Sequence, residues 1–383
     1  MKLVSPEFAT RFQCAAGRCP DTCCQNWQIA IDPQAAAYYR ALPGTLGDQV
    51  RAAIEDGAAP CFRLKNGCCA LLDEDGLCHL QRNLGEGALC ADCRKYPRFT
   101  REYGGLLESG LNLSCPEVVR LVLSDPSPIA FAESFNTQSV TNLNTIDGSA
   151  FLALKNARHA AFRLLQNRSL SISQRVFLLL KFADAAQYAL NRKDYPAVER
   201  LCVKLLSPLG RKAELRKTTQ YRFGNSLCCS ILSSWLDIYT GLETLTQKWP
   251  TLLEKLDVFL SVAAERAYYR TQWPQFVQAH KAQSYEYEHY LICTLFKYWL
   301  EASDDGQLLH RVKYAVVSML LLRELNFMQW LEKGQLLPSD QVEIMHLMAR
   351  EIEHSEENMN TLLASMDSER CFRTEALLQV AIV

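Results

Sequence analysis

From about residue 149 to the C-terminus, apolar residues recur at three- and four-residue spacing. FLALKNARHAAFRLLQN and QRVFLLLKFADAAQYAL show the pattern most clearly, and it predicts amphipathic helices with one face turned to a core. Ser171 followed by Gln174 supplies a capping box for the second of them. Further helices are expected around residues 195–206, 226–242, 251–269, 287–302, 308–331 and 339–365, separated at Pro208, Gly224, Pro250, Pro274, Gly306 and Pro338. The first 125 residues differ, with short periodic stretches broken repeatedly by Gly and Pro. Between the two patterns lies DPSPIAFAESFNTQSVTNLNTIDGS, whose Ser, Thr, Asn and Pro content predicts a connection or long surface loop. The expected fold class is mainly α, with a loop-rich cysteine module at 1–125, a connection at 126–148 and a helical bundle at 149–383.

Length and charge narrow the possibilities. A chain of 383 residues has room for two or three domains and a large core. Its hydrophobic content of 49% and formal charge of −1 leave no electrostatic footprint for nucleic acid. The most apolar run, AVVSMLLL, falls well short of the ~20 residues that cross a bilayer. Neither nucleic acid nor membrane is an expected partner.

Cysteine usage changes the picture more than anything else. Eleven of the sixteen cysteines lie in the first 115 residues, and seven fall in two blocks, FQCAAGRCPDTCCQNW and GCCALLDEDGLCHL. The start, MKLVSPEFATRF, lacks a basic stretch followed by an apolar run, so the expected location is the cytoplasm, where thiols stay reduced. Closely spaced thiols there read as metal ligands more than as disulfides. Soft thiolate donors suit zinc or an iron-sulfur cluster, and spacing alone does not separate the two. In the adjacent pairs Cys23–Cys24 and Cys68–Cys69, one sulfur is expected to ligate and the other to pack as a small hydrophobe. Cys202, Cys228, Cys229, Cys293 and Cys371 are read as core residues.

The run FQCAAGRCPDTCCQNWQIAID, the segment CALLDEDGLCHLQ, then CRKYPR and LSCPEVVRL, taken in this order, resemble the bacterial flagellin lysine N-methylases over roughly residues 1–125. The first part alone is similar to a broader group of CxxxCxxCC-type metal-binding proteins. The resemblance implies methyl transfer from S-adenosylmethionine to lysine side chains of flagellin, by a protein carrying a 4Fe-4S cluster, with zinc as the alternative metal. The family's cysteine pattern falls on Cys14, Cys19, Cys23, Cys24, Cys69, Cys78, Cys93 and Cys115, and the first seven are the candidate metal ligands. Cys61, Cys68 and Cys90 are extra to that pattern. The rival reading is a non-catalytic zinc- or cluster-binding adaptor or assembly protein, and a third is a cluster carrier.

The chemistry sets a further demand. A lysine ammonium has a pKa of ~10.4 and must lose its proton before it attacks a methyl group. The residues that achieve this, and those that hold the methyl donor, are not singled out by the sequence. No strand leads into a G-x-G loop, so a Rossmann-like cofactor domain is not expected. Cys19 and Cys23 have the first spacing of a C-x3-C-x2-C triad, but Asn26 stands in the third place. Three Glu-x-x-His pairs, Glu286/His289, Glu343/His346 and Glu351/His354, match the spacing of di-iron bundles, yet are expected to be solvated helix faces. The aromatic and acidic run SYEYEHY at 284–290 is likewise expected at a helix edge.

Overall fold

The computed structural model describes residues 1–25, 29–57, 60–135, 147–221 and 224–382. Helix α16 (Leu308–Lys333) organises it, because every residue from Arg311 to Met328 is buried. A helix with no hydrophilic side must be enclosed by others. Around it pack α7 (Ile172–Asn191), α14 (Tyr285–Tyr298), α17 (Pro338–Glu353), α18 (Glu356–Ser368) and α19 (Thr374–Ala381). Its buried charges are all engaged. Arg323 pairs with Glu324 and donates to the Val380 carbonyl, Lys313 donates to the Met366 carbonyl at 2.8 Å, and Arg311 pairs with Asp305.

The outer part of the body comprises α6 (Gly148–Leu165), α8 (Tyr195–Leu206), α9 (Pro208–Leu215), α10 (Asn225–Thr240) and α11 (Lys248–Glu265), with the short α12 (Tyr268–Thr271), α13 (Trp273–Ala279) and α15 (Ala302–Asp305) between longer helices. The capping box of α7 forms as expected: the Ser171 hydroxyl accepts the Gln174 amide, and the Gln174 side chain accepts the Ser171 amide. Two expected helices are each broken in two. One stops before Ala267, which adopts a left-handed conformation, and the other ends at His354, where the Ser355 side chain caps α18. The mainly α character read from the sequence is present.

The N-terminal third contributes a sheet that the helical pattern did not announce. Strands β1 (Lys2–Pro6), β6 (Arg98–Tyr103), β7 (Leu106–Leu111) and β8 (Phe131–Phe135) lie in the order β6-β7-β1-β8. β7 runs parallel to β1 in the register Lys2↔Leu106, whereas β6 and β8 pair antiparallel with their neighbours. Thus part of the expected connection, Phe131–Phe135, is an edge strand, while 136–146 lies outside the described residues. Helix α5 (Pro116–Leu123) follows β7 and buries Val118, Val119 and Val122 in the same apolar cluster as the helical body. The two apolar clusters are therefore not divided at one point in the sequence.

The parallel β1–β7 pairing requires a long crossover, and the cysteine-bearing segment is that crossover. It holds α1 (Pro33–Ala41), α2 (Gly44–Ala52), α3 (His79–Leu84), α4 (Ala91–Lys95) and the two-residue strands β2 (Ile54–Glu55), β3 (Cys61–Phe62), β4 (Leu64–Lys65) and β5 (Cys68–Cys69). A small separate core of Ile29, Ile31, Tyr39, Val50, Phe62 and Leu71 supports it, and Cys69 and Cys90 belong to that core. Among the described residues, no helix is long and apolar enough to cross a membrane.

Candidate functional site

The two cysteine blocks are joined by backbone pairing before any side chain is considered. The Cys69 amide donates to the Cys24 carbonyl at 2.8 Å, and Gln25 forms an antiparallel bridge with Cys68. Carboxylates fix the remaining turns. In LDEDGLC, one Asp73 oxygen accepts the amides of Asp75 and Leu77 at 3.0 and 2.8 Å, while Arg82 pairs with the other at 2.6 Å. This loop, which Gly76 closes with φ +73°, sets Cys78 at the start of α3. Asp32 caps α1 through the Ala35 amide at 3.0 Å and takes the Ala91 amide at 2.8 Å, which places Cys90 and Cys93 at the start of α4. These two amides, that of Ala91 foremost, hold the Asp32 carboxyl below the usual carboxylate range.

Six thiols act on one another electrostatically here, and Cys23 also acts on Cys19 and Cys115. Cys24 feels the charges of Cys23, Cys93 and Cys69; Cys93 feels those of Cys90, Cys78 and Cys23; and Cys69 feels those of Cys78, Cys90 and Cys23. Burial pushes Cys69 up to about 11 and also raises Cys78. Within each close pair one sulfur accepts the S–H of the other. Cys90 is lowered to about 7 by its bond with Cys93, and Cys23 is lowered by its bond with Cys24, while Cys24 and Cys93 are raised. Cys23 and Cys90 are thereby moved toward the thiolate relative to their partners.

Of the seven candidate ligands, Cys23, Cys24, Cys69, Cys78 and Cys93 share this electrostatic neighbourhood, and Cys19 is linked to it through Cys23. Cys14 is exposed and Cys19 half-buried; burial foremost, with the charges of Cys23, Asp21 and Cys14, pushes the Cys19 thiol up. Cys115 is buried at the start of α5, against the main core. The expectation that adjacent sulfurs diverge fails at Cys23 and Cys24, whose Sγ atoms lie 4.0 Å apart. Here the backbone is a turn and not a strand, so successive side chains need not alternate. Cys90, set aside as extra, is inside the group, and the two-residue spacing to Cys93 was the signal for it. Among the described residues, no three His, Cys, Asp or Glu side chains stand in a geometry that holds a metal ion. Asn26, which breaks the three-cysteine spacing, lies outside the described residues.

One helix of the body meets this neighbourhood. His346 and Arg350 of α17 and His354, which caps its C-terminus, follow one another at four-residue spacing and so form a stripe on one face. Arg350, only 2% exposed, pairs with Asp21 and donates to the Thr22 carbonyl at 2.7 Å, with Gln25 Oε1 at 3.4 Å. His346 Nε2 lies 3.7 Å from the same Asp21 carboxylate. His354 Nε2 shares the Ser114 hydroxyl with the Tyr96 phenol, each at 3.2 Å. Burial lowers His346 and takes His354 down to about 3, so both rings are neutral at pH 7.

This overturns the solvated reading of the Glu-x-x-His pairs. Glu286, His289, His346 and Glu351 are all buried, His354 is half-buried, and Glu343 is exposed. Nor is SYEYEHY a helix edge: residues 286–290 are buried against neighbouring helices. The Glu288 carboxylate receives both Arg168 and Arg175, and the Glu351 carboxylate accepts the Leu245 amide and Thr246 hydroxyl. These groups act as internal ties. Cys202, Cys228, Cys229 and Cys293 are buried as expected, and Cys371 is half-buried.

The sequence profile of the FliB lysine N-methylase C-terminal domain matches residues 158–380, more than half of the chain. The lysine-N-methylases of Salmonella typhimurium and Salmonella choleraesuis are 32% and 31% identical to it over 151 residues. In both cases the alignment spans 37% of this chain and 37% of the relative. The flagellar biosynthetic protein FliU of Salmonella muenchen is 31% identical over 151 residues, 36% of this chain and 88% of that protein. No solved structure matches. A match from within α6 to within α19, which takes in α16 and the Arg350 stripe, covers most of the helical body, and the chain belongs to the FliB lysine N-methylase family.

Proposed function

We propose that this protein is a cytoplasmic, S-adenosylmethionine-dependent protein-lysine N-methyltransferase acting on flagellin, whose N-terminal thiols hold a 4Fe-4S cluster. The family match across residues 158–380 carries the methyl-transfer reading. Flagellin as substrate draws its support from the relative named as a flagellar biosynthetic protein.

The thiol neighbourhood supports the cluster through its donor chemistry. All six donors are sulfur, and five of them pack in or against an apolar core of their own, as soft-metal sites require. Four of Cys23, Cys24, Cys69, Cys78, Cys90 and Cys93 would hold the group. When bound, it would supply iron ligated by thiolates in a setting of low polarity. The chain's own residues orient and enclose that site. Arg350 fixes the 21–25 loop through Asp21 and the Thr22 carbonyl, Asp32 and Asp73 fix the turns that bear Cys78, Cys90 and Cys93, and the small apolar core limits water. Methyl transfer also requires the target lysine to be neutral, which a site poor in water favours.

Thiol donors suit structural zinc equally well, which leaves a non-catalytic adaptor as the second reading. Incubation with S-adenosylmethionine and purified flagellin, followed by mass measurement, tests the first reading. The expected result is a gain of one methyl mass per modified lysine, by protein that is brown and iron-loaded when purified without oxygen. Unmodified flagellin with folded, iron-loaded enzyme refutes it. Colourless protein with stoichiometric zinc that leaves flagellin unmodified supports the second reading.

A further inference from the structure

A cavity of about 470 Å³ opens in the helical body, away from the thiols. Its walls come from the first turn of α7, from Leu215 and Thr218, from α13 and its following turn, and from Arg323 of α16. That volume is in the range of small-molecule sites. The walls carry three kinds of chemistry. First, there is a flat aromatic face: the His280 ring lies nearly parallel to Phe276, 7° apart at 5.6 Å, with Tyr287 and Trp273 beside them. Second, there is a buried ring nitrogen without a hydrogen bond. The His280 side chain is 10% exposed, yet its Nε2 has no hydrogen bond among the described residues, with Glu286 Oε2 at 3.6 Å. Burial keeps that ring neutral, so Nε2 can meet a neutral heteroaromatic edge. Third, the N-terminus of the twenty-residue α7 faces the cavity beside the Ser173 hydroxyl, and the amides of a helix start favour a carboxylate, while Arg323, already paired with Glu324 and the Val380 carbonyl, closes the wall behind them.

A planar heterocycle and a carboxylate within one molecule of this size fit a nucleoside carrying an amino-acid tail. We propose that this cavity binds the methyl donor, its base against the Phe276–His280 wall and its carboxylate at the start of α7. The inference rests on the methyl-transfer reading above and adds where the donor sits. It also sets the donor apart from the cysteines. On α17, Gln341 donates to Glu286 next to His280, whereas Arg350 of the same helix holds the cysteine loop, and nine residues of helix span ~13 Å.

The test uses the intact chain and two variants chosen to fold. Val277→Trp fills the cavity from a position that is 48% exposed. Ser173→Glu adds a carboxylate in the first turn of α7, which helices tolerate well, and opposes a ligand carboxylate. Binding of S-adenosylhomocysteine and of methylthioadenosine, which lacks the amino-acid tail, is measured by calorimetry alongside flagellin methylation and circular dichroism. The expected pattern is loss of both ligands with Val277→Trp. With Ser173→Glu, S-adenosylhomocysteine should weaken about tenfold or more while methylthioadenosine is unchanged. Wild-type affinity for both ligands in both folded variants overturns the site and leaves the methyltransferase reading standing. A wild-type protein that binds neither ligand and methylates nothing overturns both.

Discussion

Glu108 of β7 and Arg158 of α6 join the N-terminal sheet to the family-matched helical body, and breaking that pair tests whether the two share one core. Their side chains are 3% and 9% exposed. The contact is two-pronged, with Arg158 Nη1 at 2.8 Å from Glu108 Oε2 and Nη2 bonded to the other oxygen. The guanidinium also lies over Phe296 at 5.3 Å and donates to the Phe296 carbonyl. Arg158→Met keeps the apolar stem but leaves a carboxylate buried without its counter-charge, a change that costs about 3 to 5 kcal/mol at such sites. Replacing both partners, Glu108→Leu with Arg158→Met, removes the stranded charge and should lie within about 2 kcal/mol of wild type. Urea unfolding of the full-length chain, followed by both near-UV and far-UV dichroism, supplies the four corners of the cycle. The reasoning is refuted if Arg158→Met costs less than about 1 kcal/mol, or if the double variant loses the sum of the two single losses. Separate transitions for the sheet and the helices would refute the shared core.

Glu286 supplies a pH prediction. Burial raises its carboxyl from 4.5 to about 7, so between those values the folded chain holds a proton that the unfolded chain has released. Its contribution to stability is therefore complete below the unfolded value and is lost as pH rises through about 7. Relative to Glu286→Gln, the wild type should lose on the order of 2 to 3 kcal/mol across that window, and parallel stability curves would remove the basis for this. Ser171→Ala deletes one half of the α7 capping box and should cost about 1 kcal/mol, read as a lowered urea midpoint; an unchanged midpoint contradicts the cap's role. A fragment of residues 147–383 leaves Ala157, Phe162 and Phe296 without the cover of β7, β8 and α5. It should bind hydrophobic dyes and self-associate in size-exclusion chromatography, and a stable monomer would show that the helical body folds alone.

The sequence by itself determined the helices and the chemistry of the thiols. Three- and four-residue apolar spacing is a local property, so α6, α7, α8 and α16 and the Ser171–Gln174 box were legible where they stand. Thiol donors, too, are a matter of residue type, and the cysteine blocks were legible as such. What the tertiary structure alone decided is which partners enclose each face. His346, Arg350 and His354 repeat at a spacing that suits a solvated helix surface as well as a buried one, and only the arrival of Asp21 and Ser114 from the N-terminal segment distinguishes them. Tyr287 and His289 pass for a helix edge until α16 and α5 cover them. β1 meets β7 across a hundred residues of chain, a pairing set by long-range hydrogen bonds and not by any local pattern. Periodicity fixes which way a side chain points around its own axis, whereas burial depends on what another part of the chain brings to that side.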